Sequence, residues 1–106
     1  LTDYAVRADL KILPQAWHDL LEIGFVYSRQ GMRLEASAVT CSIVGKLKEL
    51  QDFSMLGHKT PLRSLNEQQY LMLMIDKYAC IYRKVENTVY IYHITELQRD
   101  YPKLIE

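Results

Sequence analysis

The stretch YLMLMIDKYACIYRKVENTVYIYHI, residues 70–94, decides how this chain folds. Three runs rich in β-branched and aromatic residues, 70–75, 78–84 and 88–94, are parted by Asp76-Lys77 and by Glu86-Asn87. Such residues suit a pleated, half-buried surface, and links this short join neighbouring strands that run in opposite directions. The spacing predicts an antiparallel meander of three strands. Successive side chains point to opposite faces, so Leu71, Leu73 and Ile75 share one face and Tyr70, Met72 and Met74 the other. The same alternation puts Ile81, Val89 and Ile91 on the aliphatic face, with Cys80, Tyr82, Tyr90 and Tyr92 on the tyrosine- and methionine-rich one.

Working outward, SMLGHKTPLRSLNEQ (54–68) keeps no period and reads as loop. Before it, Ala36, Val39, Ile43, Leu47 and Leu50 make one face of a helix over 33–53, with Lys46, Lys48 and Glu49 toward the other. Gly45 lies inside that helix at a cost of about 1 kcal/mol relative to alanine, a cost that suggests close packing there. Trp17, Leu20, Leu21, Gly24 and Phe25 fall at helical spacing over 15–29, and Gly31 is placed to stop that helix. Leu10 and Ile12 alternate with Lys11 and Leu13 in a strand expected from about residue 5, and Pro14 then opens the helix. The expectation is one α+β domain over 1–106. An N-terminal strand and an antiparallel two-helix hairpin pack on one face of a mainly antiparallel four-stranded sheet, followed by a short C-terminal tail.

Hydrophobic residues make up 49% of the chain and charged ones 25%, which fits a globular protein rather than a disordered one. Thirteen basic residues balance thirteen acidic ones, so no overall field draws the protein to nucleic acid or membrane. A phosphate-binding surface must come from local segregation of cations. No apolar run is long enough to span a bilayer and no leader pattern is present, so a cytoplasmic location is expected. Cys41 and Cys80, without a wider cysteine framework, read as reduced thiols filling core space. His18, His58 and His93 show no ligand spacing, and neither a glycine-rich phosphate loop nor a nucleophile elbow occurs; no metal or cofactor is expected.

Three segments carry a family resemblance. LKILPQAWHDLLEI (10–23) is similar to the opening strand, proline and amphipathic helix of the RelE/ParE superfamily of bacterial toxins. YACIYRKVENTVYIYHI (78–94) resembles that family's central hairpin, and QRDYPKL (98–104) resembles its Arg-Asp-Tyr ending. The resemblance implies the toxin of a type II toxin–antitoxin pair, held by a co-expressed antitoxin in a hetero-oligomer. RelE-like members cut messenger RNA at the ribosome without a metal, which is the first reading here. ParE-like members poison DNA gyrase, and a toxin-like binding module without activity is the third reading.

Cleaving RNA this way requires deprotonating a 2′-hydroxyl, offsetting charge on the phosphate and protonating the leaving oxygen. By the resemblance, Arg99 stabilises the phosphate, while Tyr101 stacks on a base or shares in proton transfer. His93 is a further catalytic candidate, with a hydrogen-bonded histidine at the core edge as the alternative. Arg63 is a candidate phosphate contact or else a solvated loop arginine. Glu96 reads as a solvated carboxylate, and Asp100 as a fixing point for the tail. Tyr70, Met72, Met74, Tyr82, Tyr90 and Tyr92 form either a surface for an antitoxin segment or stacked bases, or a second small core closed by Tyr101 and Leu104. Two positions depart from the nuclease pattern. The strand 70–75 has no Lys or Arg where those enzymes place them, and Ala79 stands where they carry an arginine.

Overall fold

The computed structural model describes residues 7–54, 56–60 and 62–96. Their order is β1 (Asp9–Ile12), α1 (Pro14–Arg29), α2 (Arg33–Glu49), β2 (His58–Lys59), α3 (Arg63–Glu67), β3 (Leu71–Ile75), β4 (Tyr78–Val85) and β5 (Thr88–Glu96). The sheet runs β1-β5-β4-β3-β2, with β1 parallel to β5 and every other pairing antiparallel. The four expected strands and the helical hairpin are present. Two-residue β2 adds a fifth strand at the edge.

Local chemistry accounts for the boundaries. Pro14 takes the first turn of α1, where its missing N–H removes no helical hydrogen bond. The meander reverses at Asp76 and Glu86, whose φ angles of 53° and 55° are turn conformations. Helix α2 stops at Glu49, short of the expected Phe53, its end tightening into i→i−3 bonds at Leu50 and Gln51. The Gln51 carbonyl accepts the Ala8 N–H at 2.9 Å, and its side-chain amide donates back to the Ala8 carbonyl at 3.0 Å. The segment read as loop holds β2 and α3 through a side-chain network. Asn66 accepts the Thr60 N–H at 2.7 Å and donates to the Thr60 carbonyl at 2.8 Å.

The main core lies between the helices and the sheet. Ala16 and Leu20 of α1 and Ile43, Leu47 and Leu50 of the α2 region meet Leu73, Ile75, Tyr78, Cys80, Tyr82, Val89, Ile91 and Ile94. The α2 face matches its periodicity, with Val39 partly buried at the margin. Close approach of the helices occurs at Gly24 rather than Gly45. A Cβ at Gly24 would lie 3.3 Å from Thr40 Cγ2, whereas one at Gly45 would meet nothing within 4 Å.

Two facings differ from the sequence pattern. On α1, Trp17, Leu21 and Phe25 are exposed, and the buried side is carried by Ala16 and Leu20 with Ile23 beside them. The helix is apolar on two sides, and periodicity alone picks the richer one. On β4, pairing sets Tyr82 opposite Leu71 and Cys80 opposite Leu73, so both point into the helix-side core. Ile81 therefore points the other way and packs with Leu65, Leu62, Tyr70 and Met72. The tyrosine and isoleucine of β4 exchange faces relative to the expectation.

Candidate functional site

Strand register assembles the face of the sheet opposite the helices. Lys11 of β1 pairs with Tyr90 of β5, which pairs with Arg83 of β4. Directly opposed residues share a face, so these three form a row across three strands. A bulge then adds one residue to β5: Tyr82 faces Ile91 but Ile81 faces His93, leaving Tyr92 between them. Tyr92 meets Tyr70, the residue just before β3, edge to face with ring centroids 5.0 Å apart. Arg83 lies over both rings, its Cζ 5.1 Å from the Tyr70 centroid and 5.4 Å from that of Tyr92. Its Nη2 donates to the Tyr92 hydroxyl at 2.9 Å, while Nε is buried without a hydrogen-bond partner among the described residues.

Arg83 was missed by the sequence reading because assigning Ile81 to the aliphatic face carried Arg83 with it. The signal lay in the turn. A reversal at residues 86–87 counts back to Arg83 opposite Tyr90, and β4 parity then follows from which residues Leu71 and Leu73 face.

The sequence-selected residues divide. Tyr70, Met72, Met74, Tyr90 and Tyr92 remain on the partner-surface candidate, with Met74 exposed and the other four partly buried. Tyr82 leaves it. The ring is fully buried in the main core, so it meets no partner. Its hydroxyl accepts the Gly57 N–H and donates to the Ser54 carbonyl, each at 2.9 Å.

His93 is buried, with Nδ1 3.5 Å from Asp19 Oδ2. That separation exceeds a good hydrogen bond, and Nδ1 makes none among the described residues. The setting explains the carboxylate. Strand β1 ends opposite Ile91, and among the described residues no strand neighbours the outer edge of β5 beyond it. Asp19 of α1 covers that edge, accepting the Ile94 N–H at 3.0 Å and the Gln15 amide at 2.9 Å. His93 thus sits enclosed at the core edge.

Arg63 opens α3, is exposed and pairs with Glu67 at 3.0 Å. Glu96 is partly buried at the end of β5, opposite Tyr78. Arg99 and Tyr101, with Asp100 and Leu104, lie outside the described residues. Among the described residues no three His, Cys, Asp or Glu side chains are grouped to hold a metal ion.

Burial tunes the core groups away from chemistry. It pushes the Cys80 thiol up to about 12, so a nucleophilic thiolate is suppressed. It also raises the Tyr78 phenol, aided by a hydrogen bond with Tyr27, and raises Tyr82 against the opposing pull of the Gly57 N–H. Cys41 differs from its expected place: it is exposed, outside the buried Ala36–Ile43–Leu47 stripe of α2. It lines a groove of about 1170 Å³ along the outer side of the helical hairpin, with Trp17, Leu21, Phe25 and Val44. Leu21 and Phe25 are 69% and 55% exposed there. No helix among the described residues is long and apolar enough to cross a membrane.

No family model matches the sequence, and no curated protein matches it. Solved structures do. A chain of the chromosomal ParDE TA system from P. aeruginosa superposes with a TM-score of 0.74 at 19% identity, covering 87% of this chain and 98% of that one. A chain of the toxin–antitoxin complex RelBE2 from Mycobacterium tuberculosis superposes with a TM-score of 0.63 at 18% identity, covering 86% and 99%. At these identities the likeness establishes the fold, which is of the RelE/ParE type.

Proposed function

We propose that this RelE/ParE-fold protein is the toxin of a bacterial type II toxin–antitoxin pair, held inactive by a co-expressed antitoxin. The supporting observation is the fold: it spans nearly the whole of chains taken from two toxin–antitoxin structures. The surface agrees with a bound partner. The groove beside Trp17, Leu21 and Phe25 is an apolar face that the described residues leave open, and large patches of this kind usually bind something. An amphipathic antitoxin helix suits it, laid in by apolar anchors at helical spacing.

For the toxic activity, the reading is a metal-independent endoribonuclease acting at the ribosome. Arg99 and Tyr101, by their resemblance to the family ending, serve the phosphate and the leaving group. Arg83, beside Tyr92 on the open sheet face, supplies a cation that the sequence pattern had not offered. His93 is set aside as a catalyst because it is enclosed against Asp19. A ParE-like gyrase inhibitor is the second reading, favoured by the absence of Lys and Arg from β3 and by fully buried Ala79.

Inducing the protein in bacterial cells and mapping RNA 5′ ends tests this. Growth arrest with new ends, relieved by Arg99→Ala or Tyr101→Phe at unchanged thermal stability, is the expected result. Arrest without new ends but with inhibited supercoiling would move the activity to gyrase. Harmless expression would remove the toxin reading and leave a binding module.

A further inference from the structure

The face of the sheet opposite the helices holds a charge that no described carboxylate balances. The centroids of Tyr70 and Tyr92 and the Cζ of Arg83 form a triangle with sides of 5.0, 5.1 and 5.4 Å. The rings hold the guanidinium by cation–π attraction and limit its motion. Nη2 is spent on the Tyr92 hydroxyl at 2.9 Å, and Nε is buried without a partner among the described residues. Among the described residues no carboxylate pairs with Arg83, although Arg7 and Arg63 each have one. The Tyr92 hydroxyl accepts from Arg83 and so keeps its own proton to donate, and it donates to no described residue. A cation and a free hydroxyl donor therefore stand side by side. Register extends the row to Tyr90 and to exposed Lys11, two strands from Arg83 and roughly 10 Å away along the sheet.

We propose that Arg83 and Tyr92 form a phosphate-binding subsite for a single-stranded nucleic acid lying across this face, with Lys11 and Tyr90 continuing the track. An arginine fork matches phosphate oxygens, and a tyrosine hydroxyl beside it adds a second donor to the same anion. Single strands are held by cations interleaved with aromatic rings, because bases stack on the rings whatever their sequence. The Lys–Tyr–Arg row with Tyr70 beyond it has that alternation. An acidic peptide would satisfy the cations but leave the ring of Tyr90 without a stacking partner. The choice of a nucleic acid rests on the toxin reading above, while the subsite itself is independent of Arg99 and Tyr101.

The test measures fluorescence anisotropy of a labelled oligouridylate on the purified chain over a range of salt, beside a labelled poly-glutamate peptide. Arg83→Gln is expected to weaken oligouridylate binding on the order of 10-fold or more, as loss of a charged hydrogen bond should. It should also lower the slope of log affinity against log salt by about 0.7, the value for one phosphate contact on a single strand. Lys11→Gln, at an exposed position, should lower the slope similarly with an unchanged melting temperature. Tyr92→Phe keeps the ring, loses the hydroxyl and should weaken binding about 3- to 10-fold. Equal binding by Lys11→Gln, Tyr92→Phe and the parent overturns the subsite, whether or not Arg83→Gln folds. Binding of the peptide with none of the oligouridylate overturns it too. Growth arrest with unaltered oligonucleotide binding sinks the subsite alone, and harmless expression with Arg83-dependent binding sinks the toxin reading alone.

Discussion

The Tyr82 hydroxyl bridges two backbone groups beneath the helices, accepting from Gly57 and donating to Ser54. Its partners belong to the segment between α2 and β2, so one phenol ties that loop to the central strand. Tyr82→Phe leaves both backbone groups without their bond and should cost about 1–3 kcal/mol in urea unfolding, with binding of a partner unchanged. A parent-like midpoint would show that water replaces the phenol. Gly57 is fixed by the same contact. An added Cβ would stand 2.7 Å from both Cε1 and the hydroxyl oxygen of Tyr82 and 2.9 Å from the Met72 carbonyl, and neither can retreat, since the side chain is fully buried and the carbonyl is backbone. Gly57→Ala should therefore cost about 1–3 kcal/mol, read from the same urea curves. None of this was legible in the sequence. A tyrosine in an alternating run looks the same whether its hydroxyl reaches water or a buried carbonyl.

Helix α1 works at the level of the element. Its inward side carries Ala16, Leu20 and Ile23, and its outward side carries Trp17, Leu21 and Phe25. Periodicity located the helix, yet the larger residues belong to the groove rather than the core. Ala16 lets the helix lie close to the sheet with Leu20 and Ile23 beside it, which leaves Trp17, Leu21 and Phe25 facing outward. Leu21→Glu and Phe25→Lys should thus change stability by less than about 0.5 kcal/mol, as exposed positions do. Under the proposed toxin reading, the same changes should abolish co-purification with a protein encoded beside this chain. Retained co-purification would place the partner elsewhere. The polar side of α1 has a separate task, since Asp19 covers the Ile94 N–H where β1 gives out. Asp19→Ala should lose about 1–3 kcal/mol by leaving that edge group unpaired, measurable by thermal or urea unfolding.

At the scale of the molecule, three buried groups among the described residues hold their protons harder in the folded state: Cys80, Tyr78 and Tyr82. For acids whose folded pKa is raised, stability is full below the unfolded value and is lost as pH climbs toward the folded one. The window opens near 9.0, the unfolded value for Cys80, and deepens past 10.0, that for the tyrosines. The melting temperature should stay level to about pH 8, decline from about 9 and fall more steeply beyond 10. A level profile through pH 11 would contradict the burial of these groups. The sequence by itself determined the α+β class, the helical hairpin, the meander with its turns at Asp76 and Glu86, and the buried stripe of α2. Those features follow from local periodicity and turn chemistry, which neighbouring residues carry. Only the tertiary structure decided the facing of β4, the side of α1 that is buried, the enclosure of His93 and the Arg83–Tyr92 pairing. Each depends on register or on a partner distant along the chain. A strand's alternation says which residues share a face but never which face the helices will cover.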